Sequence, residues 1–243
     1  MHKAPQTVTE WGILIRNVAD VVTPPRADSP EMQTWNEDEI GQFLEAAKST
    51  PYYALFYTAL FTGMRRSELL ALRWQDIDFL LSQIYVNRSL HVLKGGKVIL
   101  KSPKSAKGRR VVAMTPSLFL VLNEYRKERE AESILLEKPI LDSDLVFSTL
   151  DKPLLPNTVT YAWIKLIRRI GIKVIRFHDA RHTHASLMLK QGIHPKVVQE
   201  RLGHSTIAIT LDTYSHVAPG LQEAAAKRFD DVLNKHSLVE KAT

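Results

Sequence analysis

RFHDARHTHASLMLKQGIHPKVVQERLGHSTIAITLDTYSHV, residues 176–217, is the stretch from which the rest of the chain can be read. Its punctuation predicts three short helices. Arg181 follows His178 by three residues, so in a helix the two side chains share a face. Pro195 suits a first turn, where its missing N–H has no partner to lose, and Gly203 suits the left-handed residue that ends a helix. His204 then falls on the turn. Ser205 is placed to cap a further helix in which Ile207, Thr210, Leu211 and Tyr214 share one face.

Taken singly, these residues have ordinary explanations. A tyrosine on an apolar stripe belongs to a core, and an arginine beside a histidine belongs to a solvated surface. His178 and His182 have the i,i+4 spacing of a metal pair, but there is no HExxH glutamate and no cysteine in the chain. The combination carries more. A cationic fork, two imidazoles and a phenol on a basic chain are the equipment for attack on a phosphodiester.

Order and spacing then point to a family. HDAR, LGH and DTY resemble the HxxR box, the LGH box and the nucleophilic tyrosine of the tyrosine recombinase (phage integrase) catalytic domain. HDARH differs from the usual HxLRH in having Ala180 for leucine, a change in packing and not in chemistry. Upstream, TGMRRSELLALRWQDID resembles the box that carries the family's first catalytic arginine. Arg65 takes that position; Glu68 is expected to buttress it and Arg66 to face solvent. PKSAKGRRVVAM resembles the strand pair whose turn carries a mobile catalytic lysine. Lys104 fits best, with Lys107 as the alternative. The resemblance covers roughly residues 36–234.

Bulk composition agrees with a nucleic-acid partner. The chain has 243 residues with 44% hydrophobic content, and Lys plus Arg (33) exceed Asp plus Glu (26), giving a net charge of +7. A balance of that sign suggests a polyanion. The lack of cysteine excludes disulfides and thiolate chemistry and suits a reducing compartment. MHKAPQTVTE has no apolar signal core, and the longest apolar run, residues 52–64, is too short to span a bilayer. A cytoplasmic protein is expected.

Residues 1–22 predict a helix with Val8, Trp11, Ile15 and Val18 on one face. RNVA at residues 16–19 resembles the phrase that follows the last helix of the family's core-binding domain, so the chain is expected to lack most of that domain. Residues 23–35 form a proline-rich linker. Residues 36–219 make the catalytic domain, and residues 220–243 a final helix and tail. Asn36 and Glu39 form a capping box for a helix through Ala47. Thr50 and Pro51 begin a helix that is apolar nearly all round and ends at Gly63. A longer helix is expected from Arg65 through RRSELLALRW. Residues 84–89 alternate as a strand, KGGK at 94–97 turns, and residues 98–101 and 109–114 supply two more strands. Thr115 and Pro116 open an amphipathic helix bearing Leu118, Val121, Leu122 and Tyr125, and another ends at Gly171. The expected class is α+β, mainly helical, with one small antiparallel sheet. From residue 94 to 110 there are seven basic residues and no acid: Lys94, Lys97, Lys101, Lys104, Lys107, Arg109 and Arg110. That run reads as a phosphate-facing hairpin.

What the resemblance implies is specific. Tyr214 attacks the phosphodiester, Arg65 and Arg181 brace its non-bridging oxygens, and Lys104 protonates the leaving 5′-oxygen. His178 is the candidate base and His204 a second phosphate donor. The product is a 3′-phosphotyrosyl link, which conserves bond energy, so no metal and no nucleotide cofactor is expected. The partner is double-stranded DNA, with a homo-tetramer on paired sites. The tail, with Ala225, Phe229, Val232 and Leu233 on one face, would dock on a neighbouring protomer. Two rivals use similar parts: a type IB topoisomerase and a non-catalytic DNA-binding relative.

Overall fold

Several helices begin or end where a local signal sits, and the site is built by how the helix ends meet. The computed structural model describes residues 3–13, 15, 33–102, 109–149, 152–214, 226–227 and 229–230. It divides into two units, residues 1–32 and 33–243. In the first, helix α1 spans Lys3–Glu10. It does not continue to Ile15 as expected, because Gly12 turns the chain at φ +73°. Val18 and residues 16–32 lie outside the described residues.

The second unit opens with α2, Glu37–Ala47, under the expected capping box: Asn36 accepts from the Glu39 amide and Glu39 from the Asn36 amide. Helix α3, Tyr53–Thr62, is central as predicted, though it starts past Pro51. Phe56 and Ala59 are wholly buried, and the Thr58 and Thr62 hydroxyls donate back to Ala54 and Thr58 carbonyls. The helix from Arg65 is a single turn, α4, Arg66–Leu69, not the long element expected. Beyond it Trp74 and Gln75 amides donate to the Asp144 and Asp142 carbonyls, and Val146 donates to Leu72. Pairing with this distant segment, which buries Val146 and Phe147, wins over local helix propensity.

Strands β1 (Ile77–Asp78), β2 (Gln83–Val86), β3 (Ser89–Val92), β4 (Val98–Lys101) and β5 (Arg110–Ala113) form two sheets and not one. β1, β2 and β5 are antiparallel with Ile84 opposite Val112; β3 and β4 make a separate hairpin with Leu90 opposite Leu100. The expected strand breaks after Val86 because buried Asp76 draws in the Asn87 amide and the Arg88 guanidinium, at 3.2 and 2.6 Å. Gly95 and Gly96, at φ +86° and +81°, supply the predicted hairpin turn. Helix α5, Pro116–Leu135, is capped by Thr115. A two-residue hairpin, β6 (Ser148–Thr149) with β7 (Lys152–Pro153), precedes α6, Pro156–Ile170. Three helices complete the unit: α7, Asp179–Lys190; α8, Pro195–Leu202; and α9, Ile207–Tyr214. The class is α+β, mainly helical. No helix among the described residues is long and apolar enough to cross a membrane.

An aromatic cluster carries α7 to its place. The Trp163 ring lies 4.3 Å from Phe43, 5.2 Å from Phe56 and 5.1 Å from Phe177. Its indole N–H donates to the Ile175 carbonyl at 3.0 Å, and that of Trp35 donates to Lys173 at 2.7 Å. The residues just before His178 are thereby held from two sides.

The last turn of α3 leaves carbonyls without helical partners. α7 and α8 supply the donors: His184 Nδ1 to Leu60 O at 2.9 Å, Arg201 Nη2 to Phe61 O at 2.9 Å, and Arg181 Nη1 to Gly63 O at 2.8 Å. So close an approach requires glycine at the helix end. A Cβ on Gly63, at φ +63°, would lie 2.6 Å from Leu202 Cδ2 and 2.9 Å from His184 Cδ2, whereas one on Gly171, at φ +73°, would meet nothing within 4 Å. Gly171→Ala should therefore cost only the left-handed strain, about 1 kcal/mol, and Gly63→Ala should cost roughly 1–3 kcal/mol more. Urea unfolding of the two variants measures the difference; equal losses would show that the helix ends do not meet as described.

Candidate active site

Arg65 stands at the start of α4, where Glu68 holds it twice. Its amide donates to Glu68 Oε2 at 2.9 Å and its Nη1 to Oε1 at 2.8 Å. Its Nη2 reaches the Gly203 carbonyl at 3.3 Å, on the turn that carries His204. The side chain stays 39% exposed, so the fork is fixed but open to a ligand. Arg181 approaches from α7 and is 3% exposed. Its bond to Gly63 O sets it across the end of α3 from Arg65.

His178 sits at the N-cap position of α7, with its ring 5.0 Å from that of His182. His204 is held on three sides. Its amide donates to Gln199 O, its carbonyl accepts from Gln199 Nε2 at 3.0 Å, and its Nδ1 pairs with Thr210 Oγ1 at 2.9 Å. Burial, then the charge of Arg181, lowers the His178 imidazole. Burial, then His178, brings His182 down to about 4; burial, then Arg181 and Arg65, does the same for His204. Both are uncharged at neutral pH. The carboxylates nearby are already engaged, Glu68 by arginines and Asp179 by Arg176 at 2.8 Å. Arg65, although held by Glu68, stays partly exposed, and Arg181 sets a second guanidinium nearby, so the cluster can receive an anion. Among the described residues, no three His, Asp or Glu side chains gather as a metal-holding group.

The other expected positions fall as follows. Lys94, Lys97, Lys101 and Arg109 are exposed along or after the β3–β4 hairpin. Lys104 and Lys107 lie outside the described residues. Tyr214 is the last residue of α9, and its side chain is not described. The predicted α9 face is revised. Thr210 is buried against His204, while Ile207 and Leu211 are 37% and 45% exposed. At the start of α9 the Thr206 hydroxyl accepts from the Ile209 amide at 3.4 Å. Arg66 is not simply solvent-facing, since its Nη1 bonds the Pro156 carbonyl and Thr160 Oγ1.

Arg110 is a correction of another kind. Expected on a phosphate-facing hairpin, it points inward with its side chain 6% exposed. Its Nη1 and Nη2 grip Glu68 at 3.1 and 2.8 Å, and its Nε donates to Arg201 O at 2.8 Å. The reason is the buried carboxylate, which needs a charged partner more than a surface needs another cation. Arg201 and His184, which no local sequence signal singles out, complete the network. Arg201 Nε donates to His184 Nε2 at 3.0 Å and its Nη1 to Ala113 O at 2.9 Å. His184 thus keeps its proton on Nδ1. Burial and then Arg201 lower it to about 3.

Burial alone would raise Glu68, but Arg110 and then Arg65 more than offset that and hold it at about 2, against an ordinary 4.5. The stability this contributes is present above pH 4.5 and is lost as pH falls toward 2. Arg110→Met should destabilise the fold by roughly 3–5 kcal/mol at neutral pH by stranding a buried charge. The loss should shrink as acid neutralises Glu68. Urea titrations at several pH values check both; a pH-independent penalty would assign Arg110 to packing alone.

With this geometry in view, known proteins give a consistent answer. Residues 33–220 match the model of the phage integrase family. A XerC-like tyrosine recombinase of Caldanaerobacter subterraneus is 32% identical over 222 residues, covering 86% of this chain and 57% of that protein. The ICEBs1 integrase of Bacillus subtilis is 30% identical over 237 residues, covering 96% and 64%. The chain thus spans about three fifths of the length of these relatives. Among solved structures, the Tn1549 transposon integrase in complex with a circular intermediate DNA superposes with a TM-score of 0.75 at 22% identity, covering 94% of this chain and 76% of that one. The XerA recombinase superposes at 0.64 with 27% identity, covering 93% and 74%. A family model spanning most of the chain, over a fold shared with these recombinases, leaves one assignment: this chain belongs to the phage integrase family of tyrosine recombinases.

Proposed function

We propose that the chain is the catalytic part of a site-specific DNA recombinase that breaks and rejoins double-stranded DNA through a phosphotyrosyl intermediate. The observation that carries this reading is the meeting of Arg65, Arg181 and a neutral His204 at the end of α3. Residues 36–219 form the catalytic domain. The Tyr214 hydroxyl attacks phosphorus as its proton passes to His178. The bond to the 5′-oxygen breaks, and Lys104, with Lys107 as the alternative, donates a proton to it. DNA is left joined to Tyr214 through its 3′-phosphate, and attack by a 5′-hydroxyl reverses the step. Arg65 and Arg181 answer the charge that grows on the non-bridging oxygens, a type of contribution worth ~10²-fold or more. With Nδ1 accepting from the Thr210 hydroxyl, neutral His204 carries its proton on Nε2 and donates a further hydrogen bond from it. Lys94, Lys97, Lys101 and Arg109 hold the phosphate backbone on either side. Assembly as a tetramer on paired sites, linked by residues 220–243, and action in the cytoplasm belong to the same reading.

Other tyrosines are poorly suited to the task. Tyr125 is half-buried, stacked 5.8 Å from Phe147, with burial raising its phenol, and Tyr161 is 70% exposed on α6. On a nicked duplex that traps the intermediate, Tyr214→Phe should abolish covalent adducts while DNA binding stays within about twofold, because only the nucleophilic oxygen is removed. Gel shift and denaturing gels read the two quantities. Undiminished adducts would place the nucleophile elsewhere.

A further inference from the structure

Beside the arginine pair lies a cleft of about 730 Å³ that the proposed chemistry leaves unused. Arg65 and His178 form its border with the candidate site, and β3, α4, the start of α6 and residues 176–178 enclose it. Its lining has two characters. Leu90, Val92, Leu155 and Phe177 contribute apolar surface to the lining, while Arg66, Arg176 and Asn157 contribute hydrogen-bond donors. No Asp or Glu lines it among the described residues.

The donors are fixed in place without being saturated. Arg66 is anchored through Nη1 alone, to Pro156 O and Thr160 Oγ1, so Nε and Nη2 have no partner among the described residues. Arg176 is clamped by the buried carboxylate of Asp179, through Nε at 3.0 Å and Nη2 at 2.8 Å. Its Nη1 has no partner among the described residues, and the side chain is 70% exposed. A guanidinium held by one edge presents the other at little further cost in conformational entropy. Two such edges in a cleft that also offers apolar surface match a nucleotide within a strand, which has a monoanionic phosphodiester at one end and an apolar sugar and base face at the other.

We infer that this cleft seats the nucleotide next to the cleaved phosphodiester, with its phosphate on Arg66 and Arg176 and its sugar against the exposed side chains of Val92 and Leu155. The inference rests on the recombinase reading above. The two arginines are positioning residues: they fix the register of the strand so that one phosphate, and not its neighbour, reaches Arg65 and Arg181. Their effect is thus on which bond is cut as well as on how fast.

A set of nicked trapping duplexes, each with one neutral methylphosphonate within three positions of the cleaved bond, tests this with the full chain. Arg66→Gln removes the charge while keeping a polar group near Thr160. At one flanking position the methylphosphonate should slow adduct formation about tenfold in the unaltered chain, the usual scale for a charge-assisted contact, and should slow Arg66→Gln by less than twofold further. A folding defect in the variant slows every substrate alike and cancels from these ratios. Equal methylphosphonate effects in both proteins at every position would overturn the inference while leaving the recombinase reading intact. No adduct from the unaltered chain on any duplex would overturn both.

Discussion

The carbonyls left without helical partners at the end of α3 are the constraint from which the site follows. A helix buried on all sides must still satisfy the acceptors of its last turn, and water cannot reach these. Leu60, Phe61 and Gly63 are answered by His184, Arg201 and Arg181, which come from two different helices. The negative end of the helix also favours cations there. One structural need therefore brings α7 and α8 onto α3, and Arg181 arrives beside Arg65 as a result.

Charge balance refines that arrangement. Glu68 orients Arg65 but is bound mainly by Arg110, so it steadies the first arginine without neutralising it. Arg110 in turn ties β5 to the Arg201 carbonyl, next to the turn that holds His204. Gly203 allows the contact, since a Cβ there would lie 3.0 Å from Arg110 Cδ. His204, kept uncharged by burial and by the arginines, is then placed to share a hydrogen bond with an entering anion.

Much of this was legible in one dimension. Asn36, Thr115, Pro195 and Gly203 marked helix ends correctly because caps depend on a few adjacent residues. Arg65, His178, Arg181 and His204 were legible through their order and spacing. What escaped was set by distant partners. Nothing local distinguishes Arg110 from the lysines before it; only Glu68, 42 residues away, turns it inward. Arg201 looks like any basic residue in a last turn, yet it reaches Phe61, 140 residues distant. The division of the sheet and the brevity of α4 have the same origin, in Asp76 and in the segment around Asp144. Arg66 was legible only once α6 was seen to pack against it.

The proposed chemistry is decided by which atom becomes joined to DNA. The direct measurement is peptide mass spectrometry of the adduct trapped on a nicked duplex, with the DNA polarity read after nuclease trimming. The account predicts a single modified peptide, with Tyr214 esterified to a 3′-phosphate and a free 5′-hydroxyl on the other fragment. Attachment through a 5′-phosphate, or to any residue other than Tyr214, would contradict it.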